Sequence, residues 1–410
     1  MQYPSPNRPR AVKLINHIGR GARAMGIRLP SLRIDKLMAQ ASRETGLSDY
    51  GGACCLDGLK QLITALETEA QLSQIGRVAA HAMLVTELSK RLQLIDYRKR
   101  RPEVAQQTIK RPLFVMGLPR TGTTILYELL AQDPAHRAPI SWEVAQPIPP
   151  AQANTFSTDA RIASVEKGDS RVETLAPGFR AMHETGARLP QECVSILASN
   201  FVSDQFGAVF QIPAYRRWTR HWDMESSYRW HYQFLQHLQV DFMKQRWVLK
   251  TPAHINYLDA IVAQYPDAAI VQTHRDPMDV IASVSSLACT LHSAFSDDIS
   301  PEVVGRCEIE HFSEAVQQGM AQRDAMPDKE SRFFDVYFED IVSDPISAIE
   351  KLYQHFAFEL SHEAAQAMTT YLDNRPRDKH GRHRYTLEDF GLSRDADGHL
   401  FADYCARFGL

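Results

Sequence analysis

The sequence predicts an α/β protein: a three-layer α/β/α body around a central parallel sheet, preceded by a helical N-terminal region. Two observations carry this. From Arg111 onward, short apolar runs closed by a turn are each followed by a helix-length pattern, an alternation that builds parallel sheets flanked by helices. Ahead of that point the periodicity is helical for many turns. A third observation says where function should sit. Arg120, Lys250, Arg275 and Tyr337 all fall at the carboxyl ends of the strand-like runs, beyond which parallel sheets bind ligands.

The N-terminus, "MQYPSPNRPRAVKLINHIGRGARAMG", is basic and mildly amphipathic and lacks a signal-peptide core. It is expected to pack on the body as a helix, with a surface anchor as the alternative. Residues from about Ile27 to Lys99 keep apolar positions at three-to-four spacing, so 1-105 is assigned as a helical region serving as lid, packing layer or oligomer contact. The main domain is then 106-410. "PLFVMG" is a buried strand and "GTTILYELLAQDP" a helix ending near Pro134. "EVAQPIPPAQANTFSTD", Glu143 to Asp159, is rich in Pro and Ala and reads as a long loop over the sheet. "RWVLK", "AHINYLDAIVAQYP", "AAIVQTH" and "PMDVIASVSSL" repeat strand, helix, strand, helix, and "RFFDVYFEDIVSDPISAIEKLYQHFAF" does so once more.

Composition narrows the function classes. The formal net charge of −3 excludes a general nucleic-acid binder, though not a local basic pocket. No uninterrupted apolar run approaches the length of a transmembrane segment. Cys54, Cys55, Cys193, Cys289, Cys307 and Cys405 have neither metal-site nor disulfide-framework spacing, which suits reduced thiols in a cytoplasmic protein.

The chemistry begins at "GLPRTGTT", Gly117 to Thr124. Its glycines let consecutive N–H groups turn toward one anion, and the following helix adds its positive end. A triphosphate loop needs lysine where Thr123 stands. Here the cation has moved inside the loop, to Arg120, and the loop ends in hydroxyls. That suits a compact 5′-phosphate carrying one further anionic group, without a metal. In "HRDPMDVIASVSSL", Arg275 closes a strand and Ser283 lies two turns into the next helix, a pair able to hold a second phosphate.

Together these blocks resemble the PAPS-dependent sulfotransferases, which move a sulfuryl group from 3′-phosphoadenosine 5′-phosphosulfate to a hydroxyl or amine. "PRTGTT" resembles the family's 5′-phosphosulfate loop and "HRDPMDVIASVSSL" its 3′-phosphate block. "VLKTPAHINYLDAIVAQYPDAAIV" is similar to the strand, K-x-P turn and helix before that block. "FDVYFEDIVSDPISAIEKLYQHF" is similar to the segment whose tyrosine, here Tyr337, borders the adenine. "KHGRHRYTLEDFGLS" resembles the basic segment that closes over the co-substrate. The resemblance runs from about Arg111 to the C-terminus and implies a P-loop-like fold. It assigns PAPS binding to Arg120, Thr121, Gly122, Thr123, Thr124, Arg275, Ser283, Tyr337, Lys379 and Arg382, with 3′,5′-ADP as product and no metal.

In-line transfer needs a base for the acceptor proton and cations where charge accumulates. Arg120, Thr123 and Thr124 fit the leaving phosphate, and Lys250 resembles the lysine that some members aim at the bridging oxygen. The resemblance implies His183, about sixty residues after the loop where many small-molecule members keep a histidine, as base, preferred two to one over Glu143, which matches the glutamate of carbohydrate- and tyrosine-directed members, with Glu184, Glu192 and His254 behind them. His380 and His383 lack a third ligand for a metal. The acceptor is a small molecule or lipid of unread identity; "RRWTRHWDMESSYRWHYQF" is a candidate wall for its pocket. A P-loop kinase and a non-catalytic nucleotide-binding protein are the alternatives, and a homo-oligomer through the N-terminal helices is compatible with all three.

Overall fold

The computed structural model describes residues 10–52, 54–175, 185–242, 244–374 and 385–410. Five strands, β1 (Leu113–Gly117), β2 (His136–Arg137), β3 (Arg246–Lys250), β4 (Ala269–His274) and β5 (Phe333–Tyr337), form one parallel sheet in the order β2-β3-β1-β4-β5. The chain lays β2 and β3 on one side of β1, then returns to place β4 and β5 on the other. Strand order therefore reverses at β1, and a crevice opens at its carboxyl end. β1 is buried along its whole length because helices cover both faces. Leu113 and Val115 face a cluster with Leu126 and Leu129, whereas Phe114 and Met116 face one with Phe234 and Ile261.

Ahead of the sheet lie α1 (Arg10–Ala24), α2 (Ile34–Thr45), α3 (Cys54–Thr68) and α4 (Gln74–Arg100); α5 (Thr123–Leu130) follows β1. The boundary expected near residue 105 does not divide two cores. Leu59, Leu62, Leu84 and Leu88 share one apolar cluster with Phe201, Phe206 and Tyr215. Buried Arg91, from α4, donates to Tyr50 O (2.7 Å) and Asn200 Oδ1 (3.0 Å) and lies 4.2 Å from the Trp230 ring centre. α1 packs on the start of α4 through Val12, Asn16 and Gly19. Asn16 Oδ1 accepts from the Ile75 N–H (3.0 Å), and a Cβ on Gly19 would stand 2.3 Å from Gln74 Cβ.

Two local readings change. The run "AHINYLDAIVAQYP" is a 3-10 turn (Pro252–Asn256) followed by a short helix (Leu258–Gln264), because Tyr257 leaves helical geometry and Gln322 Oε1 caps the restart at Leu258 N–H (2.8 Å). Glu143 lies inside a short helix, Ser141–Ala145, rather than at a loop start. The helix Pro277–Phe295 is long and apolar enough by composition to cross a bilayer, yet 72% of it is buried inside the protein, as befits a core helix.

Candidate active site

β1 leaves the sheet at Gly117, where φ is +143° and a Cβ would stand 2.3 Å from Thr273 Oγ1 and 2.5 Å from Thr273 O. Glycine is required there twice over, by backbone conformation and by space. Arg120 (φ +64°) and Gly122 (φ +89°) complete the turn into α5. Left-handed geometry at an arginine is costly and tends to persist where a loop is shaped for a ligand. The Thr121 hydroxyl is engaged within the fold: it donates to Leu118 O (2.6 Å) and lies 2.5 Å from Thr273 Oγ1. With its hydroxyl so engaged, Thr121 has its backbone N–H left to offer an anion. Thr123 is buried at the start of α5, whereas Thr124 is exposed at the mouth, beside the first-turn N–H groups that a helix leaves without an internal acceptor.

Arg275 follows β4 and joins the same mouth. Its guanidinium donates to Arg120 O (3.2 Å) and lies 4.2 Å from the Phe338 ring centre, while Phe338 and Ile341 also pack on Gly122. Ser283 is nearly buried in the helix Pro277–Phe295 and accepts a hydrogen bond from Tyr385 Oη (2.6 Å). Tyr337 ends β5 half-buried, its ring 5.6 Å from that of His274. Lys379 and Arg382 lie outside the described residues.

The third component is built from β3. Gln191 N–H donates to Pro139 O (2.7 Å), Tyr127 Oη donates to Gln191 O (3.0 Å), and Cys193 N–H donates to Lys250 O (2.9 Å). This lashing lays the segment before Cys193 along the end of β3. The Lys250 ammonium there meets the Glu192 carboxylate and donates to Thr124 Oγ1 (3.3 Å). A buried cation, a carboxylate and the first exposed hydroxyl of α5 thus converge. The sequence ranks Glu192 behind two other bases, since fifty-eight residues separate it from Lys250 in the chain.

Two base candidates are placed elsewhere. Glu143 is fully buried; its carboxylate accepts from Arg137 (2.6 Å) and from Ile140 N–H (3.0 Å). Burial raises its pKa against the pull of Arg137. Arg137 also holds Leu238 O (2.6 Å) and Phe242 O (2.5 Å), so Glu143 anchors a buried cation at the β2 edge. His254 is buried against Phe114 with Nδ1 2.7 Å from Tyr228 Oη, and burial drives its pKa well down. His183 and Glu184 lie outside the described residues. In the aromatic segment, Tyr228, Trp230 and Phe234 belong to the core. Trp222, Met224 and Arg220 line a cleft of about 340 Å³ with Tyr257 and Asn256.

A sequence profile of the sulfotransferase family matches residues 112–362. A curated relative, omega-hydroxy-beta-dihydromenaquinone-9 sulfotransferase Stf3 of Mycobacterium bovis, is 27% identical over 263 residues, 60% of this chain and 62% of that protein. The chain thus spans less than two thirds of that relative's length. The crystal structure of sulfotransferase STF1 from Mycobacterium tuberculosis superposes with a TM-score of 0.81 at 32% identity, covering 90% of this chain and 98% of the other. That of STF9 from Mycobacterium avium gives 0.83 at 28% identity, covering 93% and 97%. The family profile covers more than half of the chain, and STF1 is 32% identical across 90% of it, so the chain belongs to the sulfotransferase family.

Proposed function

We propose that the chain transfers a sulfuryl group from PAPS to a hydroxyl of a lipid or small-molecule acceptor, releasing 3′,5′-ADP. The observation that carries this reading is Lys250, whose ammonium meets Thr124 of the phosphate loop and the Glu192 carboxylate together. The loop suits a phosphate: glycine stands at position 117, where a Cβ would meet Thr273, and α5 starts at the loop's end with first-turn N–H groups that lack an internal acceptor. Arg120 and Thr124 hold the 5′-phosphosulfate. Arg275 and Ser283 hold the 3′-phosphate, with Tyr337 beside the adenine and Lys379 and Arg382 closing over it. The acceptor oxygen bonds to sulfur as the bond from sulfur to the 5′-phosphate oxygen breaks. The acceptor proton goes to His183 or, as second candidate, to Glu192, while Lys250 stabilises charge on the departing oxygen. A lipid alcohol is the favoured acceptor, because one relative is named for an omega-hydroxylated menaquinone.

The kinase alternative needs an acidic magnesium ligand at a strand end. Asp276, the carboxylate available there, instead accepts from Met278 N–H (2.8 Å) and pairs with Arg394 (2.7 Å). Thermal unfolding with added nucleotide separates the two readings. A near-saturating excess of 3′,5′-ADP should stabilise the protein by roughly 2–4 kcal/mol, unaffected by EDTA and largely lost in Arg275→Ala. Stabilisation by ATP with magnesium alone would overturn the proposal. Labelled PAPS offered with a panel of lipid alcohols, sterols, phenols and sugars then identifies the acceptor.

A further inference from the structure

Helix α1 turns about 100° per residue, which divides its surface into three sectors. Val12, Asn16 and Gly19 face α4. One flank carries Ala11, Leu14, Ile15 and Ile18; the opposite flank carries Arg10, Lys13, His17 and Arg20. The apolar flank is in solvent, with Leu14 61% and Ile18 63% exposed. It continues beyond the helix through Met25, Ile27 and Leu29, also exposed. Of nine large exposed hydrophobic side chains among the described residues, six lie between Leu14 and Leu29. Scattered exposed hydrophobics need no explanation; a contiguous stripe of them marks an interaction surface.

The charge is as local as the apolarity. Arg8, Arg10, Lys13, Arg20, Arg23, Arg28 and Arg33 all precede Asp35, the first acidic residue of a chain whose net charge is −3. Arg20 and Arg23 reach Asp297, and Arg28 reaches Glu67, contacts that fix the helix to the body. Arg10, Lys13 and His17 lie along the outer basic flank. An exposed apolar stripe beside a basic one is the arrangement of a helix lying in a lipid–water interface.

We infer that α1 docks the protein on the surface of a membrane containing anionic phospholipid, its apolar stripe among the acyl chains and its basic flank among the headgroups. A second copy of the chain fits less well: a twofold contact through the apolar stripe would bring two basic flanks together without acidic partners. An anionic bilayer answers both flanks at once.

Flotation of the full chain with vesicles tests this. Binding is expected to vesicles of phosphatidylcholine mixed with phosphatidylglycerol, weakly or not at all to phosphatidylcholine alone, and to weaken with added salt. Leu14→Ser with Ile18→Ser should lower affinity for the anionic vesicles by about tenfold or more. Arg10→Gln with Lys13→Gln should lower it and flatten the salt dependence. These side chains project into solvent, so an unchanged unfolding midpoint in each variant confirms that the fold is kept. Absence of binding to anionic vesicles overturns the inference, as does binding that the Leu14 and Ile18 substitutions leave intact. A dimer in solution that those substitutions dissociate, with no vesicle binding, would assign the stripe to a second copy instead. The measurement needs no catalysis, so its failure leaves the sulfuryl-transfer proposal standing.

Discussion

Arg137 is the residue that decides what Glu143 does. A buried guanidinium on two backbone carbonyls still needs a counter-charge, and Glu143 provides it. Removing one partner of such a pair leaves an uncompensated charge in the interior, so Glu143→Ala should lose about 3–5 kcal/mol of stability in urea unfolding. Glu192→Gln takes the counter-charge from Lys250 at a partly exposed site, so it should lower the unfolding midpoint less than Glu143→Ala does while turnover falls by roughly a hundredfold or more. Normal turnover in Glu192→Gln, or a stable but inactive Glu143→Ala, would reverse the two roles. The sequence pointed at Glu143 because its distance from the loop is visible, whereas its engagement with Arg137 depends on how one short helix turns. Glu192 had the reverse problem: its place beside Lys250 comes from hydrogen bonds to Pro139, Tyr127 and Lys250, none of them adjacent in the chain. The Tyr385–Ser283 contact, made across 102 residues, was hidden for the same reason.

Strands and loops were legible to the degree that their signal is local. β1, β3, β4 and β5 coincide with apolar runs that turn residues punctuate, and Arg120, Lys250, Arg275 and Tyr337 stand at or just after their carboxyl ends as expected. β2 escaped because two residues carry no periodicity; it exists by pairing with Arg246 and Trp247 of β3. The phosphate loop was readable because its glycines are demanded by backbone geometry. Gly117→Ala should therefore be damaging although it adds one methyl group. It forces a left-handed φ and a clash with Thr273, costing roughly 1–3 kcal/mol or more. The same variant should lose its stabilisation by 3′,5′-ADP, because β1 and β4 must part to admit the methyl. A Gly117→Ala protein that unfolds and binds nucleotide as the parent does would show that the loop tolerates rearrangement.

In the whole molecule, the N-terminal helices share an apolar cluster with the residues around Phe201, and Arg91 ties α4 to Tyr50 and Asn200. Periodicity revealed the helices but not where their apolar faces would go. Buried histidines give the protein its pH dependence. Burial pushes His231 down to about 3, and His237 and His292 down to about 4. Their unfolded counterparts titrate near 6.5, so the unfolded chain binds more protons between those limits. Stability is then fully present above about pH 6.5 and falls as pH drops toward 4, by up to about 1.4 kcal/mol per pH unit for each group. Unfolding midpoints at stepped pH should trace that decline; a flat profile from neutral to pH 5 would contradict it. The central place of β1 also has a consequence on the ribosome. Thr121 cannot meet Thr273 until 152 further residues have been made, which takes roughly 8–30 seconds at ordinary elongation rates. For most of that interval, until β3 is made, a strand destined for complete burial emerges with neither neighbour, so a nascent-chain chaperone that shields "LFVMG" should raise the yield of active protein more than any factor acting after release.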